Sequence, residues 1–121
     1  MSDFSFRKLN AYIISKELVK SVYRLASTFP SNEQYALTTQ LRRAVISIPS
    51  NLAEGMGRIS CKEQIHFLEI AYGSLMEVLC QLEIALELQY INKSQFTDVE
   101  LKIIEVARLL SGLRASITKK L

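Results

Sequence analysis

The sequence predicts an all-α fold: an antiparallel up-down-up-down four-helix bundle, with residues 1–121 forming a single domain. Three observations carry this reading. Only 4 glycines and 2 prolines punctuate 121 residues, so turns are few and elements long. Apolar residues recur at alternating steps of three and four, the period of one helix face. Three short breaks divide the chain into four such stretches, and short connections make successive helices antiparallel neighbours. With 49% apolar and 22% charged residues, the composition is that of a folded domain. The length suffices to close a core without metal or disulfide.

The last helix is the clearest. Phe96, Val99, Ile103, Val106, Leu110, Leu113 and Ile117 form an unbroken seam over three heptads. Asn92, with Gln95 three residues on, predicts a reciprocal cap at its start. The third helix repeats the rhythm in Ile65, Leu68, Tyr72, Leu75, Leu79, Leu82 and Leu86, with Ser60 and Glu63 as a second capping pair. It also carries a neighbouring stripe of Phe67, Ala71, Ser74, Val78, Gln81, Ala85 and Leu88, plus Ile70 and Ile84. One core does not need so wide a face. Phe67, Ile70, Ile84 and Leu88 are therefore expected at an interface between subunits, since such a patch is unusual on a monomer.

The first helix is expected from about Arg7 to Thr28, with Ile14, Leu18, Val22, Leu25 and Phe29 inward and Phe29-Pro30 as its stop. Ser31 with Gln34 is read as the cap of the second helix, which buries Leu37, Leu41, Ala44, Ile48 and Leu52. That stripe passes through Pro49, which predicts one kinked helix rather than two. Gly55-Met56-Gly57 is read as its end, supplying left-handed backbone.

The middle of the chain resembles a known family. Phe29-Pro30, Glu33, Tyr35, Leu37, Gln40, Arg42-Arg43-Ala44, Ser47-Ile48-Pro49, Asn51-Leu52-Ala53-Glu54-Gly55 and Arg58 carry the resemblance, with the later run Phe67 to Leu75 and Glu77. The pattern is similar to the four-helix-bundle family of 23S rRNA intervening-sequence proteins and covers about residues 7 to 118. The resemblance implies a cyclic homopentamer whose molecular role is poorly defined. A related branch serves diversity-generating retroelements as an accessory protein that binds nucleic acid and a reverse transcriptase. Two departures stand out: Tyr12 where tryptophan is usual, and Gln89 where a glycine before the tyrosine is common. The second bears on how the third helix ends.

Little in the chain points to chemistry. His66 is the single histidine, and Cys61 and Cys80 share no helical i, i+3 or i+4 face with it, so no zinc site is expected. No nucleophile is paired with a base and an orienting carboxylate. No Glu-x-x-His pair occurs, so the di-iron bundle pattern is absent. The chain reads as a non-enzyme without metal or cofactor. With no CxxC pair, no secretory leader pattern and no apolar run near the ~18 residues of a span, it reads as cytoplasmic, with reduced thiols and no membrane partner.

A hairpin of the second and third helices turning near residues 58–59 would set Arg43 beside Ser74 and within a turn of Glu77, and Asn51 level with His66. This predicts an Arg43–Glu77 ion pair in a polar network of Arg43, Asn51, Glu54, Ser74 and Glu77 that fixes helix register. Gly73 at that level predicts close approach of another helix. The Gly-x-Gly-Arg run ending in Arg58 is read as turn geometry before a phosphate site.

The net charge of +3 is unevenly shared. Residues 1–30 hold five basic and two acidic groups, residues 59–91 one and five, and residues 92–121 six and three. Arg7, Lys8, Lys16, Lys20, Arg24, Lys102, Arg108, Arg114, Lys119 and Lys120 could thus share a side where first and last helices meet. The candidate nucleic-acid contacts are Arg42, Arg43, Arg58, Lys16, Lys20, Lys119 and Lys120. The alternative is an adaptor docking a partner enzyme such as a reverse transcriptase.

Overall fold

The computed structural model describes residues 4–121, so the first three positions of the expected domain lie outside the described residues. Four helices follow in order: α1 (Asn10–Ala26), α2 (Leu37–Met56), α3 (Cys61–Glu87) and α4 (Lys93–Thr118), with no strand among the described residues. Each helix packs on its chain neighbours and α1 also packs on α4, while the diagonal pairs do not meet. This is the square section of an up-down-up-down bundle.

The core is one cluster drawn from all four helices, including Leu18, Val22, Leu41, Val45, Leu75, Leu82 and Val106, each fully buried. The α4 seam holds as predicted, with only Leu113 left partly open. Asn92 and Gln95 form the reciprocal cap: the Asn92 amide donates to Gln95 Oε1 at 2.9 Å and the Gln95 amide to Asn92 Oδ1 at 2.8 Å. At α3 the Ser60 hydroxyl accepts from the Glu63 amide at 3.3 Å.

Three element ends differ from expectation. The first helix does not start at Arg7. Ser5–Lys8 form a 3-10 turn, Leu9 is extended, and α1 begins at Asn10. At its other end Ser27 and Thr28 turn their hydroxyls back onto the Arg24 and Leu25 carbonyls at 2.6 and 2.7 Å, closing the last turn.

Ser31 does not cap α2. Ser31–Glu33 form a second 3-10 turn, and α2 starts at Leu37 without a side-chain cap. The reason is a tether: the Tyr90 hydroxyl donates to Glu33 at 2.6 Å, holding this connection against the one between α3 and α4. Phe29 packs on the same ring at 5.5 Å between centroids.

Finally, α2 does run unbroken through the buried Pro49, but it does not end in left-handed backbone. Gly57 has φ −83°, and its amide donates to the Ala53 and Glu54 carbonyls at 3.2 and 3.1 Å. The left-handed residue is elsewhere. Gln89, at φ 64°, ends α3 with the Tyr90 amide on the Ala85 carbonyl (2.9 Å) and its own amide on Leu86 (3.0 Å). That pair of bonds is the Schellman ending, which usually employs glycine at this position. The departure from the family pattern at Gln89 thus leaves the helix end intact.

Candidate assembly surface and basic pole

The α2–α3 crossing sets where every candidate residue points. A Cβ on Gly55 would stand 2.7 Å from the Phe67 Cβ, so glycine lets these helices close where a side chain would separate them. Further along, the Ser47 and Ser74 hydroxyls meet at 2.8 Å. Asn51 donates to both the carbonyl and the hydroxyl of Ser47, each at 2.8 Å.

This register lies about one helical turn from the one the sequence suggested, and it dissolves the expected ion pair. Ser74 belongs to Ser47, and Asn51 lies near the level of Ile70 rather than His66. Arg43 is exposed and forms no ion pair among the described residues. The Glu77 carboxylate instead accepts from Gln81 Nε2 at 3.1 Å on its own helix. Glu54 pairs with Arg58 at 2.9 Å, away from the serines. The polar lock of this crossing is therefore Ser47, Ser74 and Asn51, without Arg43, Glu77 or Glu54. Ser47 enters the sequence reading only through the family resemblance, with no part in the expected polar network.

Gly73 also departs from expectation. A Cβ there would meet nothing within 4 Å, so no other helix of the chain approaches it.

The wide apolar face of α3 is partly consumed at home. Leu68, Ala71, Leu75, Val78, Gln81, Leu82 and Ala85 turn inward, drawing on both predicted stripes, because α3 packs on α2 along one edge and α4 along the other. Gln81 is 6% exposed, and its Oε1 has no hydrogen-bond partner. Of the four expected interface residues, Phe67 does not stand open. It is half-buried against Gly55, with the Arg58 guanidinium 4.8 Å above its ring. Ile70, Ile84 and Leu88 remain 38, 42 and 50% exposed.

The basic candidates divide. Arg42 and Arg43, adjacent in sequence, diverge. Arg42 lies over the Tyr23 ring of α1 at 5.2 Å with its Nε buried and unpaired, and Arg43 faces outward. Lys16 lies over Tyr12 at 4.9 Å, Lys20 reaches Glu17 at 3.8 Å, and both line a shallow groove with Arg7. Arg114 crosses to α3 and pairs with Glu69 at 2.8 Å, which takes it out of the expected α1–α4 stripe. Arg58, just past α2, and Lys119 and Lys120, just past α4, lie at the same end of the bundle, with Arg58 held by Glu54. There Ser5, Phe6, Met56, Gln64, Ile117 and Lys120 line a common groove, and Gln64 Nε2 donates to the Arg58 carbonyl at 2.8 Å.

Among the described residues no three histidine, cysteine or acidic side chains converge as metal ligands. No helix among the described residues is long and apolar enough to cross a membrane. Of the described residues, the one ionisable group clearly moved from its ordinary value is Tyr90, raised by its hydrogen bond to Glu33, then by burial and by the carboxylate's charge.

Against known proteins, the model of the family described as 23S rRNA-intervening sequence protein matches residues 7–112. The chain belongs to that family. A crystal structure from Bacteroides thetaiotaomicron, described as a protein of unknown function from the S23 ribosomal protein family, shares the fold. It has a TM-score of 0.78 at 24% identity over 86% of this chain and 97% of that one. No curated protein matches. Tyr12, which departs from the family pattern, keeps an aromatic setting: its ring meets Phe6 edge-on at 4.9 Å.

Proposed function

We propose that this 23S rRNA-intervening sequence family member is a non-catalytic subunit of a homo-oligomer, pentameric on the family resemblance, that binds the backbone of RNA or another nucleic acid. The observation that carries the nucleic-acid part is the basic pole. Lys119 and Lys120, in no ion pair among the described residues, follow α4 at the end of the bundle where Ser5, Phe6, Met56, Gln64 and Lys120 line one groove, and Arg58, paired with Glu54, stands at the same end beyond α2. Lysine and arginine so placed neutralise phosphates without reading sequence, by releasing counterions. Assembly is supported by Ile70, Ile84 and Leu88, apolar side chains left in water on the outer side of α3.

The test is a salt titration of RNA affinity. Log affinity is expected to fall linearly with log salt, and replacing Lys119 and Lys120 by glutamine to make the slope shallower by up to about 1.4 on a single strand. Arg58→Ala is the poorer probe, because it also uncovers Phe67. Binding that is absent at low ionic strength, or indifferent to salt, refutes the proposal. Capture of one dominant protein without nucleic acid then favours an adaptor for a partner enzyme.

A further inference from the structure

The 3-10 turn Ser5–Lys8 that leads into α1 carries a run of aromatic rings closed at each end by a cation. Phe4 stands just before the turn, 58% exposed, with the Arg7 guanidinium 5.0 Å from its ring centroid. Phe6 follows, 6.4 Å from Phe4 and 4.9 Å from Tyr12, which it meets edge-on. One turn further along α1, the Lys16 ammonium lies 4.9 Å from the Tyr12 ring centroid. Packing accounts for Phe6 and Tyr12, both half-buried, but not for Phe4. A lone exposed apolar residue needs no explanation. One joined to two further rings and two cations does.

The rings join two recesses. Phe6 lines the groove at the basic pole that also holds Lys120. Tyr12 lines a second groove, of about 290 Å³, along the outside of α1 with Arg7, Lys16 and Lys20. Glu17 shares that second wall and reaches Lys20 at 3.8 Å, so three cations stand there against one carboxylate. Phosphates account for the cations and leave the rings without a use. Bases use rings, but only where their faces are free. A duplex keeps those faces in its own stack and shows edges in its grooves. A single strand presents the faces, and aromatic side chains hold them by stacking, whatever the sequence. A base displaces Lys16 from Tyr12 readily, because a cation over an exposed ring is held more weakly than a stacked base. The freed ammonium can then meet a phosphate.

We infer that the nucleic acid taken by this chain is single-stranded, with unpaired bases stacked on Phe4 and Tyr12 and the backbone running from Lys120 past Arg7 to Lys16 and Lys20. This rests on the nucleic-acid reading above and names the class of strand. An exposed phenylalanine among cations also suits an anionic lipid surface. The recess at Tyr12 favours the strand, since a bilayer takes up protruding apolar side chains and a groove receives a chain of nucleotides.

The experiment uses the full chain at low ionic strength with labelled oligouridine and an RNA duplex of equal nucleotide count, read by fluorescence anisotropy. Vesicles of phosphatidylcholine and phosphatidylserine, read by co-sedimentation, form a third arm. Phe4→Leu and Tyr12→Leu keep apolar bulk and remove the ring. Circular dichroism checks the fold, and the exposed Phe4 carries the test alone should Tyr12→Leu misfold. Oligouridine is expected to bind more tightly than the duplex, and each variant to weaken it by about tenfold. Duplex affinity and the salt slope are expected to stay as in the wild type. Unchanged oligouridine affinity in either folded variant, or a wild type that prefers the duplex, overturns the stacking while backbone binding stands. Vesicle binding that depends on Phe4, with oligouridine binding that does not, assigns the ring to lipid and also overturns it. If neither RNA binds at low salt, the nucleic-acid reading fails and this inference falls with it.

Discussion

On the side of α3 that meets α2, the helices close to the limit of contact: Gly55 leaves no room for a methyl group beside Phe67, and two serine hydroxyls touch at 2.8 Å. On the outer side, Gly73 stands in the middle of α3 with nothing within 4 Å of its missing Cβ, and Ile70, one turn before it, is exposed to water. A helix bears the conformational cost of a glycine either way. At Gly55 the chain recovers that cost through packing; at Gly73 it recovers nothing from itself. Two glycines that look alike in the sequence therefore mark a finished surface and an unfinished one.

Substitutions that break this contrast rank by expected size. Leu75→Ala, inside the finished surface and fully buried, should cost about 2–5 kcal/mol in denaturant unfolding. Gly55→Ala should cost about 1–2 kcal/mol, because the forced separation from Phe67 outweighs the gain in helix propensity. Gly73→Ala should act in the opposite direction, raising the stability of the isolated chain by about 1 kcal/mol, and a loss would mean that an intrachain contact exists there after all.

Away from the crossing, Gln89→Gly should stabilise by about 0.5–1 kcal/mol by relieving left-handed backbone, less the entropy glycine adds to the unfolded chain. The smallest effect is at Tyr90. Its raised pKa means that the folded chain keeps the phenolic proton where the unfolded chain loses it. The contribution is therefore complete below the ordinary value of 10.0 and disappears as pH rises through the higher folded value. Tyr90→Phe should remove that alkaline decline from a series of urea midpoints.

The helices, their order and the α4 cap were legible because periodicity and capping are local rules, and Asn92, Gln95 and the Phe96–Ile117 seam state them without competition. The α2–α3 register was not legible. It depends on how closely two helices approach, which turns on Gly55 accepting Phe67, and a displacement of one turn replaces an Arg43–Glu77 pair with a Ser47–Ser74 contact. The start of α2 was missed for a similar reason. Ser31 looks like a cap until Tyr90, more than fifty residues away, draws Glu33 toward itself. The basic residues were legible as composition, but their division between a pole and scattered flanks follows from which helix ends coincide.

That coincidence has a practical side. The residues just inside both termini line one groove with Met56 and Gln64, the residues flanking the α2–α3 turn. A dye attached at Ser5 or Lys120 will therefore sit in that groove, whereas one placed in the Ser31–Tyr35 connection sits at the far end of the molecule, beside the Tyr90 tether.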